Sequence, residues 1–180
     1  MASKHDSWYT RVFSNPKIVE ELLKSFVNRP FVKDLDFTKI KKLNTKFVSE
    51  RGNQRKADIV FEVKYKGCSA FIYLFLEFQS TIDWFMALRM ARYQCEFYQD
   101  IQKQRNEKFL SPSFPILIYN GDTKWSAPES LSELFHKSKI PSQYLPEFRY
   151  FKIAINEIPK RNLVKIRNAV STIFYIENSS

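Results

Sequence analysis

From Ala70 to Gln79 the chain reads Ala-Phe-Ile-Tyr-Leu-Phe-Leu-Glu-Phe-Gln, a run in which Glu77 and Gln79 are the strongly hydrophilic side chains. A near-continuous apolar run of this length, following the turn residues Lys66-Gly67-Cys68-Ser69, predicts a strand buried on both faces. The stretch before the turn, Ala57 to Tyr65, alternates instead. Ile59, Phe61, Val63 and Tyr65 fall on one face and Asp58, Val60, Glu62 and Lys64 on the other, the period of a strand. The two strands are expected to form a hairpin. A turn centred between Gly67 and Cys68 sets Asp58 opposite a residue among Leu76, Glu77 and Phe78, which makes Asp58 and Glu77 neighbours.

The remaining elements follow from capping and periodicity. Asn15-Pro16 starts a helix to about Val27, with Ile18, Val19, Leu22, Leu23 and Phe26 as its apolar stripe. Leu43 to Glu50 is a candidate first strand. Asp83 caps a helix through about Gln104, where Ala87, Leu88, Ala91, Cys95, Tyr98 and Ile101 recur at helical spacing. Phe114 to Tyr119 reads as a short strand and Asn120-Gly121-Asp122 as a turn. Ser126 to Glu129 resembles a capping box opening a helix to about His136. Tyr150 to Ile155 is a further strand, and Leu163, Ile166, Val170 and Phe174 give a closing helix its apolar face. The expected architecture is one α/β domain over 1–180, with a mixed central sheet flanked by helices. Its αβββαβ core spans about 4–136, and a C-terminal strand and helix span about 147–176.

Charge bounds the partners. Lys and Arg number 29 against 19 Asp and Glu, a net charge of +10, which favours polyanions such as DNA. Much of the excess sits between residues 39 and 56, as Lys39, Lys41, Lys42, Lys46, Arg51, Arg55 and Lys56, with Glu50 as the one acid among them. Contacts from such a cluster position a phosphate backbone without reading bases. Two cysteines and two histidines do not supply a zinc site. Neither a Ser-His-Asp arrangement nor a Gly-rich phosphate loop is present. The opening MASKHDSWYT lacks the apolar run of a signal peptide, and no stretch has the roughly 20 apolar residues of a membrane span. The expected compartment is the cytoplasm, with no membrane partner and no small-molecule cofactor.

Glu77 and Gln79 stand two apart in a strand, so they leave the same face. A carboxylate among Leu74, Phe75, Leu76 and Phe78 is costly unless a charge or a metal meets it. Two neighbouring carboxylates repel unless they share a proton or a cation, and oxygen ligands with open positions suit Mg²⁺ or Mn²⁺. The alternative is that Asp58 and Glu77 simply terminate strands, reaching solvent or pairing with Lys56 or Lys64.

The spacing of Asp58, Glu77 and Gln79 is similar to the PD-(D/E)xK nuclease signature, with glutamine where lysine usually stands. Further, HDSWYTRVFSNP, ERGNQRKADIVFEV, IYLFLEFQS, ALRMARYQ and IYNGDTKWSAP resemble, in order, successive motifs of the recombination-promoting nuclease (Rpn) family, also called YhgA-like transposases. That resemblance covers about residues 4–135. It implies a metal-dependent DNA endonuclease with a restriction-endonuclease-like fold, in which Asp58 and Glu77 hold the metal, the carbonyl of Phe78 is a further ligand and Gln79 takes the lysine's place. An amide orients a water or a phosphate oxygen but does not stabilise charge as an ammonium does. Lys41, Lys42, Lys46, Arg51, Arg55, Lys56, Arg89 and Arg92 are the candidate phosphate contacts. His5, Asp6, Glu20, Glu21, Tyr93 and Gln94 are better explained by capping, solvation or packing. Two other functions stay open, a DNA-binding module without turnover and a self-associating protein such as a homodimer.

Overall fold

A computed structural model describes residues 4–43, 58–77, 81–106, 108–136 and 140–178, with 4–7 and 58 described as backbone alone. In chain order the elements are α1 (Lys4–Val12), α2 (Pro16–Phe26), β1 (Leu35–Lys42), β2 (Asp58–Tyr65), β3 (Cys68–Glu77), α3 (Met86–Arg105), β4 (Ser113–Tyr119), β5 (Phe151–Ala154), α4 (Lys160–Ile166) and α5 (Ala169–Glu177). The strands form one sheet in the order β1-β2-β3-β4-β5. Neighbours are antiparallel from β1 to β3 and parallel from β3 to β5.

β3 is central and buried from Ala70 to Glu77, as its continuous apolar content requires. Its even-numbered residues Ile72 and Leu74 join Phe61 and Ile116 beneath α1, α2, α4 and α5, which contribute Tyr9, Phe13, Leu22, Leu163, Val170 and Phe174. Its odd-numbered residues Phe71, Tyr73 and Phe75 pack with Val60 and Leu117 beneath Met90, Tyr93 and Phe97 of α3. The result is a mixed α/β fold, a mixed sheet with helices on both faces, consistent with a restriction-endonuclease-like core.

Several local expectations hold. The Asn15 side chain accepts from Lys17 N at 3.0 Å, with Pro16 at the first helical position. The β2–β3 hairpin forms, and the two faces of β2 are those its alternation gives.

Others are corrected. The first strand is Leu35–Lys42, a strand the sequence does not announce; Leu43 N donates to Val60 O just past it, and the rest of the strand expected over Leu43–Glu50 lies outside the described residues. β1 is an edge strand with lysines on its exposed side, and lysine disguises an edge strand as a loop. The hairpin turn is the two-residue Lys66-Gly67, both at positive φ (48° and 85°), so Tyr65 pairs with Cys68 and the register shifts from the one expected. α1 precedes the helix read as the first. α3 begins at Met86, and its buried stripe is Met86, Ala87, Met90, Tyr93, Phe97 and Ile101, whereas Leu88 and Cys95 are exposed. The helix expected from Ser126 is a short 3₁₀ turn at Leu131–Leu134, because the backbone bonds instead to 148–150, through Leu131 N to Phe148 O and Tyr150 N to Glu129 O. The closing helix is two helices, broken where Arg167 takes a left-handed φ of 54°.

α5 restarts at Asn168, whose side chain accepts from Ser171 N at 2.8 Å and donates to Ser25 Oγ of α2 at 2.8 Å. Asn168→Ala removes both bonds and is expected to cost about 1 kcal/mol, a typical loss for a helix cap. Urea denaturation checks this, and an unchanged midpoint would show that α5 docks by apolar contact alone.

Candidate active site

The parallel half of the sheet gathers strand ends. Glu77 pairs with Tyr119 and Tyr119 with Ala154, so the carboxyl ends of β3, β4 and β5 lie side by side. β2 runs the other way, and its first residue, Asp58, belongs to the same sheet end. β1 also finishes there, since Lys42 pairs with Phe61 and Leu43 N reaches Val60 O. Segment 44–57, with Lys46, Arg51, Arg55 and Lys56, lies outside the described residues, but both of its flanking residues, Leu43 and Asp58, stand at this end. Carboxyl ends of parallel strands are where sheets of this kind gather functional loops.

Asp58 pairs with Phe75, not with Leu76, Glu77 or Phe78. Position 58 therefore lies on the face of Phe75 and Glu77, diagonal to Glu77, a relation that separates such positions by roughly 7–8 Å. That is wider than direct apposition. Phe78 and Gln79 lie outside the described residues.

Glu77 is only 7% exposed, and α3 supplies its counter-charge. Arg89 Nη2 donates to Glu77 Oε2, while Arg89 Nη1 donates to Asp83 Oδ2 at 2.8 Å. Asp83, expected as the cap of α3, instead sits before it, with Oδ1 accepting from Phe85 N at 2.9 Å. Two carboxylates thus converge on one cation. Carboxylate oxygens are the ligand type that Mg²⁺ and Mn²⁺ prefer. Among the described residues no group of three or more His, Cys, Asp and Glu side chains is arranged for a metal; the Asp58 side chain is not among them.

The other expected contacts are distributed around this end and beyond it. Lys41 Nζ lies 3.2 Å from Glu62 and Lys42 Nζ donates to Ser14 Oγ at 2.6 Å. Arg92 is exposed, with its guanidinium over the Tyr93 ring and its Nε 3.6 Å from Glu96. Tyr93 is core, stacked on Phe75, and Gln94 is half-buried. Glu20 pairs with Lys24, and Glu21 Oε2 accepts from Ala169 N at 2.9 Å, capping α5. The Asn120-Gly121-Asp122 turn is held by Asn156, whose amide donates to Gly121 O and Thr123 O. A Cβ at Gly121 would meet Tyr119 Oη at 2.2 Å, so the turn needs glycine. Trp125 anchors the following chain through its indole N–H to Tyr150 Oη at 3.0 Å.

The chain matches the family described as "Putative transposase, YhgA-like" over residues 3–177. It belongs to that family. Among its relatives, recombination-promoting nuclease RpnD of Escherichia coli O157:H7 is 24% identical over 120 residues, 67% of this chain and 46% of that protein. Recombination-promoting nuclease RpnA of E. coli K12 is 24% identical over 120 residues, 67% of this chain and 41% of that protein. A third, named as the inactive recombination-promoting nuclease-like protein RpnE of E. coli K12, is 23% identical over 168 residues, 92% and 55% of the two chains. The chain spans about half the length of these relatives. No solved structure matches it.

A second buried carboxylate sits at the other end of α3, where sequence reasoning assigns no role. Glu62, 7% exposed, accepts both guanidinium N–H groups of Arg105 at 2.9 and 2.8 Å. Hydrogen bonding from Arg105 outweighs desolvation and, with Ser69 and Lys41, lowers its pKa to about 2. The folded pKa lies below the ordinary value of 4.5, so the pair stabilises the fold fully above pH 4.5 and loses that contribution as the pH falls towards 2. Glu62→Gln is expected to lower stability at pH 7 and to flatten the stability profile between pH 4.5 and 2. Urea midpoints across that range test it; an acid slope equal to the wild type's would mean that Glu62 is not the titrating group.

Proposed function

We propose that the chain is the nuclease part of a metal-dependent DNA endonuclease, with Asp58 and Glu77 as metal ligands. The observation that carries the reading is the buried Glu77 carboxylate at the end of the central strand, facing a cation and a second carboxylate. A carboxylate withdrawn from water needs a charged partner. Its position among converging strand ends supports a catalytic purpose, as do relatives named as recombination-promoting nucleases.

A bound Mg²⁺ or Mn²⁺ would supply Lewis-acid charge and a water of lowered pKa. Asp58, Glu77 and the Phe78 carbonyl would hold it, and the Gln79 amide would orient a water or a phosphate oxygen beside it. Lys46, Arg51, Arg55 and Lys56 flank Asp58 in the chain and, with Lys41, Lys42, Arg89 and Arg92, neutralise phosphates. Trp84 and Phe85 stand more than half exposed next to Asp83 in sequence, and ring faces beside a phosphate track stack on unpaired bases. No helix among the described residues is long and apolar enough to cross a membrane.

Purified protein incubated with supercoiled plasmid in Mg²⁺, Mn²⁺ and EDTA is the test. Cleavage that needs metal and falls roughly 100-fold or more in Glu77→Ala and Asp58→Ala is expected, since loss of a metal-held transition state costs several kcal/mol. Salt-sensitive binding with intact plasmid in every lane would instead assign the chain to DNA binding without turnover, in keeping with the relative named inactive.

A further inference from the structure

Two of the three arginines of α3, Arg89 and Arg105, treat their carboxylates differently. Arg105 gives both guanidinium nitrogens to Glu62, whose oxygens also meet Ser69 and Lys41. Arg89 divides its donors, one nitrogen to Glu77 and the other to Asp83. The Arg105 pair is a bidentate strut, with both terminal guanidinium nitrogens on one carboxylate. The Arg89 pair is only half-committed, because its other half rests on Asp83, a more exposed residue just ahead of the helix.

We propose that Arg89 is the resident counter-cation of the Glu77 site, one that competes with a divalent ion for Glu77 and stays tethered to Asp83 when it yields. This rests on the metal-binding reading above. A guanidinium and a divalent cation on one buried carboxylate repel each other strongly at low dielectric, so each weakens the other's hold on Glu77. The coupling is reciprocal: whatever Arg89 costs the metal in affinity, the metal costs the Arg89–Glu77 pair. Asp83 makes the exchange feasible, since Arg89 gives up one contact and keeps the other, and the nitrogen released from Glu77 becomes a phosphate donor beside the metal. Asp83 is then a positioning residue, holding Arg89 at the site in either state.

The test is Mn²⁺ binding by isothermal titration calorimetry, with thermal unfolding, on the full chain and on Arg89→Met. Arg89→Met is expected to melt at a lower temperature without metal, to bind Mn²⁺ roughly tenfold more tightly, within the usual range of coupling between sites, and to gain more in melting temperature from Mn²⁺ than the wild type does. If that variant does not fold, Arg89→Gln keeps hydrogen-bond donors without the charge and carries the same expectation. A folded variant that binds Mn²⁺ no more tightly than the wild type overturns the competition while leaving the metal site standing. Absence of Mn²⁺ binding in the wild type and both variants removes the metal site and this inference together.

Discussion

Everything on one face of the sheet depends on α3 being held across it by a charge near each end. Arg89 meets Glu77 where β3 finishes, and Arg105 meets Glu62 on β2 near the opposite end of the sheet. The apolar stripe from Met86 to Ile101 supplies the burial between these points, but apolar contact is non-directional and would tolerate the helix sliding along its groove. Buried ion pairs are poor sources of net stability, but a partner moved out of place leaves an uncompensated buried charge, which is costly. The two pairs therefore fix where along the sheet the helix lies, and so where Asp83 and Arg89 stand relative to Glu77.

The parts of the fold legible in the sequence were those set by strong local patterns. The alternation of β2, the continuous apolar run of β3 and the Asn15-Pro16 helix start each stand in the structure much as expected. β1 was not legible, because an edge strand protected by lysines looks like a polar loop. The stripe of α3 lies one step around the helix from the one that puts Leu88 and Cys95 inside, because its many small and apolar residues fit more than one helical face. The closing helix looked continuous because nothing in its apolar period announces the left-handed turn at Arg167.

At the site the sequence was informative about which residues and less so about their arrangement. Glu77 was legible because a carboxylate in an apolar strand demands an explanation. Its relation to Asp58 hinged on the turn, and Lys66-Gly67 is not the Asn-Gly or Asp-Gly pair that marks a two-residue loop. Moving the turn by a residue turned direct opposition into a diagonal. The split of Arg89 between Glu77 and Asp83 depends on how the chain turns back from the end of β3 into α3, and the bond from Glu21 to α5 joins elements far apart in sequence; no spacing rule contains either.

The bond between Glu21 and the first amide of α5 has a consequence for how the molecule is made. Its partners are separated by 148 residues, so on a ribosome adding roughly 5–20 residues per second, α2 is complete some 7–30 s before the helix it anchors exists. The β2–β3 hairpin and α3 are made within that interval, while Phe13 and Leu22 lack the cover that Val170 and Phe174 later give them. The nascent chain therefore passes through a half-roofed stage with one apolar face open to water, when a chaperone or a second nascent copy has the readiest access to it.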